Sequence, residues 1–371
     1  MFVKPSSAFV EKPSLVASSS GSAKNARYAR LFPSTRNRSA SRAGASSSCS
    51  SAPVSVFGIS ASLRPMSHFE IVPFADKHVA DAAALLAARH ARHREAEPLL
   101  PELEDPVAAL ETEWRTEGAS GVFSRHGYVI AAPTTVMNIT WMRVGIAGQA
   151  IEGDREAMRD LYAAAAQRWV DEGHTQHAVF VPSHDDELVD AWFRLSFGGS
   201  AVLALRQTGL EEPFDASVVI RPGTAEDFDE AARLEVTMGE AMVPSPSFSD
   251  VTLQTPDEAA TEWHEDWDDE KYKLFVAERD GKIAGHILLY RRPPDLRVPN
   301  DSIDLSQAST YPEARGTGVG RALTTHVIRW AHENGYPVMT TDWRLSNLWA
   351  SRFWPRRGFR VAFLRLYRSI P

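Results

Sequence analysis

Gly316, Gly318 and Gly320 stand at alternate positions in the stretch Tyr311-Pro-Glu-Ala-Arg-Gly-Thr-Gly-Val-Gly-Arg321. Glycine has no Cβ, so a backbone built from it can curl against an anion. If this turn opens a helix, its N–H groups join those of the first helical turn, which lack intrahelical partners and lie at the positive end of the dipole. Arg315 adds a cation beside them. The stretch reads as a turn that holds phosphate.

The flanking segments supply the elements such a turn needs. Residues 302–310 read as a strand leading in, and residues 317–334 as a helix leading out. In that helix Val319, Ala322, Leu323, Val327, Trp330 and Ala331 share one face, and Gly335 with Pro337 ends it. A strand at 338–342, a short helix at 348–354 and a strand at 360–367 follow. Upstream come a strand at 218–221, helices at 226–242 and 257–269, and strands at 274–278 and 282–290 around Asp280-Gly281, a strong hairpin signal.

This order is also written earlier in the chain. Ile71-Val-Pro aligns with Ile220-Arg-Pro, and Ala82-Ala83-Ala84-Leu85 with Ala231-Ala232-Arg233-Leu234, both at an offset of 149. Near the ends, Phe193 and Gly198 align with Phe353 and Gly358 at an offset of 160. Two copies of one domain, the second about eleven residues longer, account for both offsets. The expected organisation is residues 1–66 as an extension, 67–206 as a first domain, 207–217 as a linker and 218–371 as a second domain.

Composition narrows the partners. Residues 1–66 carry nine Lys and Arg against one acid, so the formal charge of −8 for the whole chain leaves −16 on the remainder. So acidic a body is a poor nucleic-acid binder. The single cysteine, Cys49, makes no internal disulfide. No apolar run reaches the roughly 20 residues that span a bilayer. The Ser/Arg-rich residues 1–66 have no sustained period and read as disordered. They read as an extended start ahead of Met66, with a cytoplasmic protein following; an organellar transit peptide is the other reading.

Four further features surround the glycines. The turn has the form Arg-x-x-Gly-x-Gly (Arg315, Gly318, Gly320), Pro312 precedes it, a strand follows the helix, and Asn347-x-x-Ala350-x-x-Phe353 runs into Gly358-Phe359. The set resembles the GCN5-related N-acetyltransferase (GNAT) family, most specifically over residues 300–360. The resemblance implies an α/β fold of two tandem domains, each a mixed, mostly antiparallel sheet flanked by helices. It also implies acetyl-CoA as co-substrate, without a metal, and the amine of a small molecule or peptide as acceptor. The diphosphate would lie on the backbone of Arg315, Gly316, Thr317, Gly318, Val319, Gly320 and Arg321. The pantetheine arm would run along Ser309, Thr310 and Tyr311, with Asn347 opposite. Asn347 could equally cap the helix after it.

Direct attack of an amine on the thioester needs a neutral amine, so a base is sought on the central strands. Asp304 comes first, then Glu278 and His286. The family often places its acid, a tyrosine, where this chain has Trp354. Tyr367 or Tyr311 would then serve, or the thiolate leaves unaided. Trp343, Trp349 and Trp354 read as core rather than as a substrate cage. The acids from Glu262 to Glu270 read as a solvated helix face, the other reading being a lure for cationic amines. The first copy lacks the glycine turn: Glu152, Asp154 and Glu156 stand there, and Glu187 replaces Asn347. It reads as a degenerate domain. A silent CoA-binding or interaction module is the alternative for the whole chain.

Overall fold

The computed structural model describes residues 69–136, 139–211, 217–249, 253–268 and 270–371. The expectations for residues 1–66, for 212–216 of the linker and for Asp269 lie outside these. The first half contains β1 (Val72–Pro73), α1 (Val79–Ala96), α2 (Pro106–Trp114), β2 (Ser120–Ser124), β3 (Gly127–Val136), β4 (Ile139–Val144), β5 (Gln149–Ile151), α3 (Arg155–Asp171), β6 (Gln176–Pro182), α4 (Asp186–Arg194) and β7 (Gly198–Gln207). The second contains β8 (Val219–Pro222), α5 (Phe228–Glu240), α6 (Pro256–Asp266), β9 (Tyr272–Arg279), β10 (Lys282–Tyr290), β11 (Ser302–Thr310), α7 (Val319–Glu333), β12 (Val338–Arg344), α8 (Leu348–Phe353) and β13 (Arg360–Ser369).

Local chemistry sets the boundaries. Asp280 and Gly281 both have positive φ, as a two-residue hairpin turn requires. α7 starts at Gly318 (φ +95°) and is followed by Gly335 (φ +80°). α3 is capped by Asp154, whose side chain accepts from the Glu156 N–H.

The strands form one sheet, ordered β1-β2-β3-β4-β6-β13-β7-β12-β11-β10-β9-β8, with β5 beside β3. It is antiparallel except for two parallel pairs, β4 with β6 and β11 with β12. The last strands of the two halves are exchanged. β13 lies between β6 and β7, and β7 lies between β13 and β12. The exchange is two-fold symmetric in register: Tyr367 faces Ala178, and 160 residues away in each strand Gln207 faces Val338. Both strands suit a central place, because β7 is buried continuously from Ala201 to Leu205 and β13 buries Ala362, Phe363 and Leu366.

The exchange carries core residues with it. Leu366 packs among Leu161, Tyr162, Trp169 and Trp192 of the first half. Val202 and Ala204 pack among Leu305, Val319, Met339 and Phe359 of the second. A further tie joins fully buried Glu97, after α1, to Arg360 at the start of β13, by two hydrogen bonds of 2.7 and 2.8 Å. Among the described residues no helix is long and apolar enough to cross a membrane.

Candidate active site

β11 and β12 are paired only from Ser302 to Leu305 against Val338 to Thr341. A bulge then intervenes. Leu289 faces Leu305 but Leu288 faces Gln307, so Ser306 is the extra residue. Beyond it β11 follows β10 to the Gly285–Thr310 pair, whereas β12 follows β7 to the Arg344–Ala201 pair. The strands splay and leave a cleft of about 680 Å³. Ser306 to Thr310 form one wall, Thr341 to Arg344 with Asn347 the other, and the start of α7 closes one end.

The glycine turn stands at that end. It is held by its own bonds: Ala314 N–H donates to the Tyr311 carbonyl (2.9 Å), and Thr317 Oγ1 to the Ala314 carbonyl (2.7 Å). Gly316 (φ +76°) and Gly318 (φ +95°) occupy the left-handed region that glycine adopts without strain. The first intrahelical bond runs from Ala322 N–H to the Gly318 carbonyl (2.9 Å), so the preceding N–H groups have no intrahelical acceptor. Ser309, Thr310, Arg315, Gly316, Gly318 and Gly320 line the cleft, as do Arg321 and Asn347. Thr317 and Val319 do not, and Val319 is a core residue. Asn347 also caps α8, accepting from Ala350 N–H at 3.2 Å, so the two readings of this residue are compatible.

The structure separates the other candidates from the cleft. Asp304 is buried in an ion pair with Arg292 and accepts a hydrogen bond from Thr340 Oγ1 (3.1 Å). It does not line the cleft, because it lies in the short segment where β11 and β12 are still paired. Glu278 ties β9 to β8 through Arg221 (2.6 Å) and is likewise outside. Tyr367 is carried by the strand exchange into the first half, where it faces Ala178 and Gly198 and meets Trp141 edge-on. Tyr311 turns away to donate to Glu230 on α5 (2.6 Å), and burial with this bond pushes its phenol pKa up. Ser309 Oγ donates its proton to the Leu234 carbonyl, so its hydroxyl can only accept from a ligand. Of the α6 acids, Glu262 accepts from Gln254 (2.6 Å), and no acid of the α6 segment lines the cleft. The three tryptophans are not separated from the cleft: Trp343 and Trp354 are buried core residues and Trp349 is 59% exposed, and all three line it.

His286 does line the cleft. It is fully buried on β10, with its ring edge-on to Trp263. Burial pushes its pKa down to about 4, and the adjacent Gln307 amide only partly opposes this. Ser306 Oγ, the Gln307 amide atoms and both His286 ring nitrogens are buried without a well-formed hydrogen bond. Unsatisfied buried polar groups are rare, and three side chains together on one cleft wall are an unfilled set of partners. Sequence reasoning missed Ser306 and Gln307, although adjacent polar residues inside an apolar strand are a usable signal. It also missed Met238 and Met242, which bring α5 to the same end of the cleft, and the arginines of the Arg352-Phe-Trp-Pro-Arg-Arg357 segment on the outer wall.

The corresponding region of the first half is filled. β4 and β6 pair only from Met142 to Val144. Beyond them Gln149 bridges the gap, donating to the Phe180 carbonyl (2.6 Å) and accepting from Trp192 Nε1 (2.7 Å). Arg89, which lies 149 residues before Met238, donates to the Gln149 carbonyl (2.5 Å). At the start of α3 the chain's own carboxylates take the N–H groups: Asp154 accepts from Glu156 (2.8 Å) and Glu187 from Arg155 (3.1 Å).

The fold is that of GCN5-related N-acetyltransferases. One from Sphaerobacter thermophilus superposes on 81% of this chain and 95% of its own with a TM-score of 0.51 at 13% identity. A tandem GNAT protein from the clavulanic acid biosynthesis pathway aligns over 81% of this chain and 98% of its own, with a TM-score of 0.46 and 14% identity. An uncharacterized N-acetyltransferase of Mycobacterium tuberculosis is 27% identical over 100 residues, which are 27% of this chain and 60% of that protein. Residues 242–359 match the acetyltransferase (GNAT) family.

Proposed function

We propose that the chain is an N-acetyltransferase that moves an acetyl group from acetyl-CoA to the amine of a small molecule or peptide. The observation that carries this is the splayed β11–β12 wedge ending on a glycine turn at the start of α7. A wedge admits a narrow thioester arm between the strands, and the turn takes its diphosphate. In the reaction the amine nitrogen bonds to the acetyl carbon, the C–S bond breaks and the CoA thiolate leaves. The ammonium proton passes to water. Backbone N–H groups that β11 no longer shares with β12 are available to polarise the carbonyl.

This reading assigns no carboxylate base. His286, with a pKa near 4, is a weak acceptor for an alkylammonium proton of pKa about 10. It serves, with Ser306 and Gln307, to orient the acceptor. The first half binds no acetyl-CoA in this reading, because Asp154, Glu187, Gln149 and Arg89 already hold the positions a ligand would take.

A silent CoA-binding module is the second reading, favoured by one observation: no tyrosine lines the cleft to protonate the leaving thiolate. Incubation with acetyl-CoA and a panel of amines, with detection of free thiol, separates the two. Amine-dependent thiol release at one acetyl-CoA per chain is expected. Binding without release on any amine supports the silent module. Retention of binding in Gly318→Asp, which puts a carboxylate into the turn, overturns both.

A further inference from the structure

Many arginines among the described residues are neutralised: Arg155 by Glu187 and Asp190, Arg221 by Asp227 and Glu278, Arg292 by Asp304, Arg360 by Glu97. Arg315, Arg344, Arg352, Arg356 and Arg357 form no ion pair among the described residues, and all five line the one cleft. In a body that carries −16 outside residues 1–66, this concentrates positive charge at one cleft.

Two of them are held in place. The Arg315 guanidinium stacks on Trp349 and that of Arg357 on Phe353, each with its central carbon 4.4 Å from the ring centroid. Stacking fixes the guanidinium plane and presents N–H edges to a phosphate, although Arg357 Nη1 also donates to the Arg356 carbonyl (3.3 Å). Arg357 Nε is buried with no hydrogen-bond partner. Burial, with the charges of Arg321 and Arg356 nearby, pulls the Arg357 pKa down, so this cluster is under repulsion that an anion relieves.

The groups belong to two adjoining segments. Arg315 belongs to the glycine turn and serves the diphosphate there. Arg352, Arg356 and Arg357 belong to α8 and the 3₁₀ turn Pro355–Arg357, which adjoin the start of α7 through Phe353 and Gly320. One diphosphate on the α7 start, met by the glycine turn and Arg315, leaves the charge of the second set in excess. We propose that Arg356 and Arg357, assisted by Arg352, form a second phosphate subsite that reads the ribose 3′-phosphate of the CoA thioester, so that the cleft selects CoA over its 3′-dephospho form. This rests on the acetyl-CoA reading above.

The test compares calorimetric affinities for CoA and 3′-dephospho-CoA in the wild-type chain, in the double variant Arg356→Gln/Arg357→Gln and in Arg315→Gln. The wild type should prefer CoA by about 10- to 100-fold, the range for charge-assisted hydrogen bonds to one group, and less at high salt. In the double variant CoA should fall to the affinity of the dephospho form, which itself is unchanged. Arg315→Gln should weaken both ligands alike and keep the preference. Equal wild-type affinity for the two forms overturns the subsite while leaving the acetyl-CoA reading in place. A preference that survives in the double variant assigns the 3′-phosphate elsewhere and also overturns it. Failure of the wild type to bind either form removes the acetyl-CoA reading, and the subsite with it. Unchanged thermal midpoints in the variants exclude unfolding as the cause.

Discussion

Asp304 and Arg292 are both almost fully buried, at 1% and 4% side-chain exposure, and each satisfies the other's charge. Asp304→Asn leaves the buried guanidinium with only the longer ion pair to Asp342 (3.8 Å) and should destabilise the fold by about 3 kcal/mol, read from denaturant unfolding. Its pH–rate profile, measured on the folded fraction, should match the wild type, since the carboxylate faces no substrate. His286 supports a prediction of the opposite kind. Its folded pKa of about 4 lies below the ordinary 6.5, so the unfolded chain binds the proton more readily. Stability is then complete above pH 6.5 and falls as pH drops toward 4, by about 3 kcal/mol for this one group. His93, held near 3 by burial and by Arg89, adds to the same slope. Denaturant midpoints from pH 7 to 4 should fall less steeply in His286→Gln than in the wild type. At this scale Gly316 and Gly318 were legible as turn residues, because glycine adopts positive φ more readily than any other residue. The bases were not. Alternation along a strand tells which residues share a face, but β11 is buried on both faces, so burial does not say which face opens to the cleft.

The elements act through where they stop agreeing. β11 keeps its bonds to β10 on both sides of the Ser306 bulge and loses its bonds to β12 there, so one inserted residue opens the cleft. Gly318 then sets the direction of α7. Gly318→Ala forces a Cβ onto φ +95°, and the strain should cost about 1 kcal/mol, visible as a lowered thermal midpoint with CoA affinity reduced. Gly320→Ala makes ordinary van der Waals contacts, its Cβ 3.8 Å from Thr310 Cγ2 and 3.9 Å from the Phe353 ring. It should leave stability within about 0.5 kcal/mol while reducing affinity by intruding on the cleft. Most elements of the second half were legible to within two or three residues, since α7, β10, β11 and β12 carry clean periods between glycine, proline and turn signals. In the first half the shortest strands were the hardest to read. β2 and β5 are five and three residues long, too short to show a period, and β7 opens on Gly198-Gly199-Ser200, which reads as a loop. The bulge was not legible, because an extra residue in a strand leaves its composition unchanged.

The whole molecule is shaped by the exchange of β7 and β13. The repeat was legible through its offsets, and the 160-residue offset relates Ala178–Tyr367 to Val338–Gln207 in the sheet. The exchange was not. Exchanged and unexchanged strands bury the same residues against neighbours of like pattern, so periodicity is blind to the choice. Its consequence is that neither half completes its own core. Without the second half, β6 and β7 lose β13 between them, Leu366 leaves the cluster around Trp169 and Trp192, and two long apolar edges face water. Even one residue of the exchange should be felt: Leu366→Ala removes a fully buried side chain and should destabilise the chain by about 2–5 kcal/mol. Cleavage between residues 211 and 217 gives the sharper test. The fragment 69–211 produced alone should be aggregated or unfolded by circular dichroism and size-exclusion chromatography. Produced together with 217–371, it should co-purify one to one, and the pair should recover the unfolding transition that neither shows alone. A fragment 69–211 that is monomeric and folds cooperatively by itself would mean that the first half closes without β13, and that the exchange is not what holds the halves together.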